Sequence, residues 1–363
     1  LPRITKSFQG IMKKLCRQFL MYNVYSRDPM YDDLLIPTQS NSHLRRLDAR
    51  RDLAAVADLV ELCFNDTLDP EGRSYLKQMR QAAQHAHLIG WANTLSMEGG
   101  MPPAGLVWEE HSQDGNGPRV VGNLSLIPIG LQGKRGYLIA NVAVHPDFRG
   151  RGIGRALTTT ALELARSRGA PSAWLQVRDD NPPAIHIYES VGFKERARRS
   201  SWAVTREILP GSLPDGLSVG SRQASHWPQQ KSWLRALYPG ELSWHLSLDW
   251  KALPPGLEGM LYRFLTWQYP RHWVVLRDNR LAGLLTWVRT SGYADRLWMA
   301  APAEPDEEAI LGLLIAIRRG VPPSRPLALN LPAGLAVPAL RRAGFSTQQT
   351  LIWMEYRFSD AAR

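Results

Sequence analysis

Arginine and glycine alternate from Arg149 to Gly154, in the sequence RGRGIG, and this stretch is the part of the chain best suited to binding an anion. Glycine lets the backbone come close to a ligand, and the N–H groups at the start of a helix attract negative charge. Arg149, Arg151 and Arg155 add three positive charges. Glycine-rich turns also join strands to helices where no ligand binds, so the spacing alone leaves an anion site and a plain turn as alternatives.

The elements around this loop are predicted from the spacing of apolar residues. Residues 138–144 are apolar with β-branched members, which is typical of a strand, and residues 156–166 have the periodicity of a helix with one buried face. Gly169 and Pro171 would end that helix before a second apolar strand at residues 173–177. The sequence therefore predicts a strand, a loop, a helix and a second strand, in this order.

Two segments in this region resemble the acetyl-CoA signature of the GNAT superfamily of N-acetyltransferases. Residues 142–154, VAVHPDFRGRGIG, fit the family pattern V-x-V-x-P-x-x-R-G-x-G-x-G, and residues 181–193, NPPAIHIYESVGF, fit N-x-x-A-x-x-x-Y-x-x-x-G-F. The resemblance implies an α/β (α+β) fold, in which a mixed, splayed and mostly antiparallel sheet is flanked by helices. It also implies acetyl-CoA as the co-substrate.

The resemblance further implies which residues bind acetyl-CoA. The pantetheine arm would pair with the backbone of the central strand like an added strand, and the loop would hold the pyrophosphate. Asn181 has an alternative role as the N-cap of the helix predicted over residues 183–191, because prolines suit its first turn. The implied cofactor-binding residues are Asn141, Val142, Ala143, Val144, Arg149, Gly150, Arg151, Gly152, Ile153, Gly154, Arg155, Asn181 and Tyr188.

Acyl transfer by direct attack needs an oriented amine, a group that removes its proton and a group that protonates the leaving thiolate. Tyr188 matches the position from which many members of the family protonate the thiolate, and a phenol with a pKa of about 10 suits that role. The alternative is a tyrosine of the core. Glu109 and Glu110, at the end of the second predicted strand, are the candidate general bases, with solvated surface carboxylates as the alternative.

Charge and cysteine content limit the partners and the location. The net charge is +11, and five of the positive charges lie among the first 17 residues. The remaining excess suits a polyanionic co-substrate, and the absence of a basic module interleaved with aromatic residues argues against nucleic acid as the main partner.

Two cysteines predict a reducing, cytoplasmic location. His85 and His87 lack a third ligand at metal-site spacing, and no apolar stretch reaches the ~20 residues of a membrane span.

Three segments are predicted from length and internal similarity. Residues 1–40 are a basic extension that is disordered or not native, and residues 41–206 form the acetyl-CoA-binding domain, with a hairpin at 104–109 and 119–128. A linker rich in proline and glycine is predicted at 208–220. Residues 207–363 then repeat the first domain in a degenerate form: the Gly-Phe pair recurs, but the segment 299–308, MAAPAEPDEE, has neither glycine nor arginine and predicts no cofactor loop.

The function predicted from these patterns is acetyl-CoA-dependent N-acyl transfer to a primary amine of a small molecule or of a peptide, at its N-terminus or a lysine. No G-x-S-x-G nucleophile motif is present, which agrees with direct attack. The alternative is an acyl-CoA sensor or an interaction scaffold without catalysis. The sequence predicts neither the acceptor nor the oligomeric state.

Overall fold

The computed structural model describes residues 43–65, 72–73, 76–84, 105–111, 117–204, 215–246, 248–290, 292–321 and 325–358. The predicted basic extension, residues 1–40, lies outside these residues. By their contacts, the described residues form two compact units, which consist of residues 43–196 with 353–358 and of residues 197–352. Each unit combines mostly antiparallel strands with flanking helices, so the predicted fold class is confirmed.

The described strands of the first unit are β1 (Leu44–Arg46), β2 (Gly105–His111), β3 (Pro118–Leu131), β4 (Lys134–Val144) and β5 (Ser172–Arg178). They are adjacent in the order of their numbers. Neighbours are antiparallel except for β4 and β5, which run parallel. The antiparallel pair of β2 and β3 confirms the predicted hairpin, with both strands longer than predicted.

Helices cover both faces of this sheet; they are α1 (Ala49–Phe64), α2 (Ile153–Ser167) and α3 (Pro182–Ser190). The α1 helix begins after Asp48, whose side chain accepts a hydrogen bond from Arg50 N. Its apolar face buries residues such as Leu53 and Val56, and each buried side chain of this size contributes about 1.5–3 kcal/mol. Residues 72–73 and 76–84 are also helical.

The two faces of β3 are covered by different helices. A Cβ on Gly122 would lie 2.9 Å from Ile153 and 3.2 Å from Leu157, so this side of the strand lies directly under α2. The next residue, Asn123, pairs with Val107, which belongs to the apolar cluster of α1. Because side chains alternate along a strand, odd-numbered residues of this part of β3 face α1.

The remaining described strands lie wholly or partly in the second unit and are β6 (Lys194–Val204), β7 (Leu217–Ser221), β8 (Arg271–Arg277), β9 (Arg280–Val288), β10 (Asp295–Ala300), β11 (Leu327–Pro332) and β12 (Ser346–Arg357). Its helices are α4 (Trp227–Leu237), α5 (Leu257–Thr266), α6 (Glu307–Gly320) and α7 (Val337–Arg342). Strands β7 to β10 are joined by antiparallel pairs, and β10 runs parallel to β11. Among the described residues, no helix has both the length and the apolar character required to cross a membrane.

The predicted linker at 208–220 requires a correction at its end. Leu217–Ser221 forms β7, whose five residues pair antiparallel with residues of β8. Proline and glycine signal turns locally, but a cross-strand partner more than 50 residues away decides this segment. Residues 208–214 of the predicted linker lie outside the described residues.

The compact units also differ from the predicted domains at their edges. Residues 197–204 of β6 belong to the second unit, because they pair with β11. From Trp353 onward, β12 belongs to the first unit. The domain boundary between residues 206 and 207 stays a prediction.

Candidate active site

The glycine- and arginine-rich loop joins β4 to α2, as the sequence predicts. Gly150 and Gly152 have φ angles of 77° and 78°, in the left-handed region that other residues rarely adopt. Gly152 is the N-cap of α2, where no side chain accepts a hydrogen bond from the backbone, and the first turn contains no acidic residue. The N–H groups of this turn are therefore left for another partner, and they carry the partial positive charge of the helix dipole.

Gly154 differs from the other two glycines of the loop. The helix begins at Ile153 and not at residue 156, so Gly154 lies in its first turn. A Cβ at this position would lie 3.7 Å from Ile187 and 3.9 Å from Val144, which are ordinary contact distances. Two of the glycines therefore set the path of the backbone, and the third is a helix residue near α3.

The three arginines of the loop donate hydrogen bonds to neutral oxygen atoms. Within the described residues, no carboxylate forms an ion pair with any of them. No described carboxylate neutralises their positive charges, and together with the open helix start they form an electropositive surface. The bonds run from Arg149 Nε to Val144 O (3.2 Å), from Arg151 to Asp147 O (3.2 Å) and from Arg155 to Ser190 Oγ (2.9 Å).

Strands β4 and β5 separate beyond Ile139. Their parallel pairing runs from Tyr137 opposite Ala173 to Ile139 opposite Leu175, and no pair follows. On the side of β5, the backbone of residues 140–144 is therefore not engaged in this sheet. An extended ligand can pair with such a strand through main-chain hydrogen bonds.

A β-bulge lies in β4 at this point. The register shifts between Asn123 and Ser125, and Asn141 has a φ of 52°. Asn123 Nδ2 donates to Asn141 O at 3.0 Å, and Asn141 Nδ2 donates to Ser125 Oγ at 3.3 Å. A bulge redirects the backbone of one strand, and two polar side chains of β3 hold this one in place. Asn123 is not among the predicted site residues, although an asparagine inside an apolar strand signals a specific hydrogen-bond partner.

The α3 helix carries two of the predicted cofactor-binding residues. Asn181 is its N-cap, and Asn181 Oδ1 accepts a hydrogen bond from Ala184 N at 3.3 Å, which confirms the alternative role from the sequence. Tyr188 is 8% exposed, and its ring meets that of Phe193 at a centroid distance of 6.1 Å. Burial raises the pKa of Tyr188 to about 12, so its phenol keeps its proton at neutral pH.

Residues 59–193, which include this loop, the bulged strand and α3, match the family model for the acetyltransferase (GNAT) family. This region of the chain matches the GNAT family, and we refer to it as the GNAT domain. The recognition made from its two signature segments is thus confirmed.

The GNAT domain is similar to part of several curated proteins. One is the [Ribosomal protein bS18]-alanine N-acetyltransferase of Salmonella typhimurium, 42% identical over 67 residues, which cover 18% of this chain and 45% of that protein. Another is the streptothricin acetyltransferase of Streptomyces lavendulae, 49% identical over 55 residues, which cover 15% of this chain and 29% of that protein. The matches thus span less than half the length of these relatives.

The GCN5-related N-acetyltransferase from Sphaerobacter thermophilus aligns over 86% of this chain and 95% of its own length, with 16% identity and a TM-score of 0.48.

The two predicted general bases of the GNAT domain are held by other side chains. Glu109 accepts a hydrogen bond from Arg45 at 2.7 Å and also pairs with Arg51. The bond from Arg45, followed by the charges of both arginines, lowers the pKa of Glu109 despite its partial burial. Glu110 accepts from Trp108 Nε1 at 3.0 Å. Neither belongs to a metal-type cluster, since no group of three or more His, Cys, Asp or Glu in the described part of the chain could hold a metal.

Both carboxylates also lie far from the bulge. Glu109 pairs with Val120 on β3, whereas the register shift lies next to Leu124. Four residues of strand correspond to about 13 Å. The structure therefore does not bring Glu109 or Glu110 to the point where β4 and β5 separate, and its geometry does not support the prediction that one of them is the general base.

Proposed function

We propose that the first unit is an acetyl-CoA-dependent N-acyltransferase that transfers an acetyl group to a primary amine. The observation that carries this proposal is that two features occur together in the GNAT domain. The N-terminus of α2 has no side-chain cap and lies next to arginines that form no ion pair with a described carboxylate. The β4 strand has a bulge at the point where its pairing with β5 ends. The first feature suits a pyrophosphate, and the second suits an extended pantetheine arm.

The residues present fit acetyl-CoA. The first-turn N–H groups of α2, with Arg149 and Arg151, would hold the phosphates, and residues 141–144 would pair with the arm. When bound, the co-substrate supplies a thioester, which an amine can attack directly. What the chain contributes is binding, orientation and donors for the charge that develops.

Tyr188 is the residue that we propose to stabilise the leaving sulfur. Its pKa of about 12 keeps the phenol neutral, so at neutral pH it is a hydrogen-bond donor and not a base. A buried donor is worth more than an exposed one, because no water competes for the developing negative charge. Glu109 and Glu110 are not part of this mechanism, since their arginine and tryptophan partners occupy them away from the bulge.

The acceptor of the reaction is a primary amine of a small molecule or of a peptide. The two relatives compared above are named for different acceptors, an alanine of a ribosomal protein and streptothricin. Their similarity to this chain therefore supports acetyl transfer to an amine and does not select between these acceptor classes.

We also propose that the second unit is a degenerate copy of the first. Its strands repeat an antiparallel meander followed by one parallel pair. A Cβ on Gly283 of β9 would lie 3.0 Å from Ile310 of α6, as one on Gly122 would lie 2.9 Å from Ile153 of α2. The Gly-Phe turns agree as well: Phe193 N donates to Tyr188 O at 3.0 Å, and Phe345 N donates to Leu340 O at 2.9 Å.

The test uses the full chain with acetyl-CoA and a pool of amines. Calorimetry measures CoA binding, thiol release measures turnover, and mass spectrometry of the pool identifies any product heavier by one acetyl group. Binding with acetylation of at least one amine is the expected result. Binding without thiol release from any amine would instead favour the sensor or scaffold, and no binding would contradict both.

A further inference from the structure

The α5 helix of the second unit exposes a continuous apolar face. Successive residues of a helix are rotated by about 100°, so positions 257, 260, 261, 264 and 265 fall within an arc of about 140°. A helix of a globular protein normally buries such an arc in the core, but here the apolar side chains lie at the surface. Five of them are between 56% and 79% exposed: Leu257, Met260, Leu261, Phe264 and Leu265.

The opposite face of α5 is the one that packs against the chain, and its contacts there are polar. Gly259 is buried, and a Cβ on it would lie 2.1 Å from Pro254 O, so the backbone of the helix lies directly against this residue. Arg263 donates hydrogen bonds to Ala252 O at 3.0 Å and to Pro254 O at 2.8 Å. The helix thus has the reverse of the usual arrangement, because its polar face points inward and its apolar face points outward.

These inward contacts fix the orientation of α5 about its own axis. The hydroxyl of Tyr262 donates to Asp249 Oδ2 at 3.0 Å, in addition to the two bonds from Arg263. A rotation that buried the apolar face would break all of these bonds, and it would replace Gly259 by a large side chain where the backbones are in contact. The apolar face therefore stays at the surface, where another molecule can cover it.

The size of the exposed surface indicates a binding interface. Trp267, which directly follows α5, is 74% exposed, and we refer to it and the five exposed residues of the helix together as the α5 face. Large apolar side chains each have about 150–250 Å² of surface, so at the observed exposures these six expose on the order of 800 Å². The largest apolar patch of a typical monomeric protein covers only about 300–600 Å².

The area and the composition of the α5 face fit a second copy of the chain. A standard stable interface buries about 800 Å² of each partner, which is what the α5 face offers. A two-fold interface uses the same patch on both subunits, and a patch of apolar side chains is complementary to itself. Because these six residues are uncharged, two copies can bring the patches together although each chain has a net charge of +11.

A lipid surface fits the α5 face less well. Helices that lie on membranes combine an apolar face with a solvent-exposed polar face rich in lysine and arginine. Among the ten residues of α5, Glu258 and Arg263 are the charged ones. Arg263 donates to backbone carbonyl oxygens on the inward side, so the helix does not present a row of positive charges to lipid headgroups.

We propose that the α5 face is the interface of a homodimer, in which it packs against the same face of a second copy. No residue of the α5 face belongs to the GNAT match at residues 59–193, so the dimer does not depend on the proposed acyl transfer. Each subunit contributes one α5 face, and the apolar side chains that are exposed in the single chain are buried in the dimer.

Sedimentation velocity of the full chain at several protein concentrations tests the proposal. The wild type should have twice the mass of one chain and dissociate on dilution. Leu261→Glu introduces a carboxylate into the apolar interface, and two-fold symmetry introduces it twice, so the dissociation constant of the dimer should rise by about 10²-fold or more. Leu62→Glu is the matched control, because Leu62 of α1 is a leucine with a similar exposure, 53% against 58% for Leu261.

Leu62→Glu should dimerise like the wild type, and so should Leu261→Met, which keeps the apolar surface. Circular dichroism checks that each variant is folded. A wild-type chain that is monomeric at every concentration, or equal effects of Leu261→Glu and Leu62→Glu, would overturn the proposal. Binding of a monomeric chain to phosphatidylserine vesicles that Leu261→Glu abolishes would also overturn it, because a lipid surface would then be the partner. A monomer that still acetylates an amine contradicts only the dimer.

Discussion

The α2 helix of the first unit and the α6 helix of the second begin in opposite ways. At the start of α2, the N-cap is Gly152, no side chain caps the backbone, and the first turn has no acid. At the start of α6, the N-cap is Asp306, whose side chain accepts from Ala309 N at 3.1 Å, and two glutamates follow. The same position in two similar units is open in one and closed by the chain's own carboxylate in the other.

The acids at the start of α6 also have partners of their own. Asp306 pairs with Arg277 of β8, and Glu307 accepts a hydrogen bond from Ala339 N at 2.9 Å. The positive end of the α6 dipole is therefore already neutralised, and a phosphate there would face carboxylates. A helix start becomes an anion site only where the chain leaves its N–H groups and nearby arginines without carboxylates.

The two units also differ in the strand that precedes the helix and at the position of the proposed acid Tyr188. The pairing of β9 with β10 runs from Val288 to Leu284 without a register shift, whereas β4 has the bulge at Asn141. Leu340 occupies the place in the second Gly-Phe turn that Tyr188 occupies in the first. Among its described residues, the second unit thus has a capped start of α6, no register shift between β9 and β10, and a leucine in the place of the phenol.

The largest effect is expected from the phenol. Tyr188→Phe removes one oxygen atom and should lower kcat by about 10²–10⁴ while the affinity for acetyl-CoA stays the same, because the lost bond forms only in the transition state. Tyr238→Phe is the control: Tyr238 is a buried tyrosine of the second unit, also with a raised pKa. If Tyr188→Phe does not change the rate of the chemical step, then Tyr188 is only a residue of the core.

The next effect concerns the open helix start. Gly152→Asp puts a carboxylate beside the first-turn N–H groups and should weaken CoA binding about 10²-fold in calorimetry. Gly169→Asp is the matched control, because Gly169 follows the other end of α2, has a φ of 70° and likewise has nothing within 4 Å of a Cβ. If both variants lose the same affinity, backbone strain and not the charge would explain the result.

A smaller effect is expected in the second unit. Asp306→Ala removes the cap of α6 and the ion pair with Arg277, and should cost about 0.5–2 kcal/mol in the free energy of unfolding of that unit. Thermal or denaturant unfolding measures it. The variant should gain no CoA affinity, because it restores neither glycines nor arginines. A CoA site that appears in this variant would show that the carboxylate alone closes the helix.

The same cap predicts a pH dependence. Burial raises the pKa of Asp306, but the hydrogen bonds from Arg277 and Ala309 N and the charge of Arg277 outweigh burial and leave the pKa below its usual value. A lowered pKa stabilises the folded state above the ordinary Asp pKa of about 3.9, and this contribution disappears as the pH falls through the folded value. The free energy of unfolding of Asp306→Asn should therefore decrease less than that of the wild type as the pH falls from about 5 to about 2. Identical acid profiles would rule out a role for the cap.

The local features of the fold could be predicted from the sequence, and the long-range ones could not. The loop, its flanking strands and α2 follow from spacing and glycine content over about 40 residues. The bulge at Asn141 depends on hydrogen bonds to Asn123 and Ser125 on another strand, and β7 depends on its pairing with β8. No local pattern encodes such partners.

The candidate site also has local features that could be predicted and long-range features that could not. The residues that the chain brings to α2 and α3 were predicted, since they belong to continuous motifs. The ion pair of Glu109 could not be predicted, because its partner Arg45 lies 64 positions away in the sequence. Asn123 was missed because its hydrogen bond to Asn141 becomes visible only when the register of β3 and β4 is known.

The central claim is that one unit binds the co-substrate and the other cannot. A calorimetric titration of CoA into the full chain tests it most directly, because the stoichiometry counts the sites. The account predicts one CoA per chain, and no measurable site in Gly152→Asp at the same concentrations. Two sites per chain, or one site that keeps its affinity in Gly152→Asp, would contradict it.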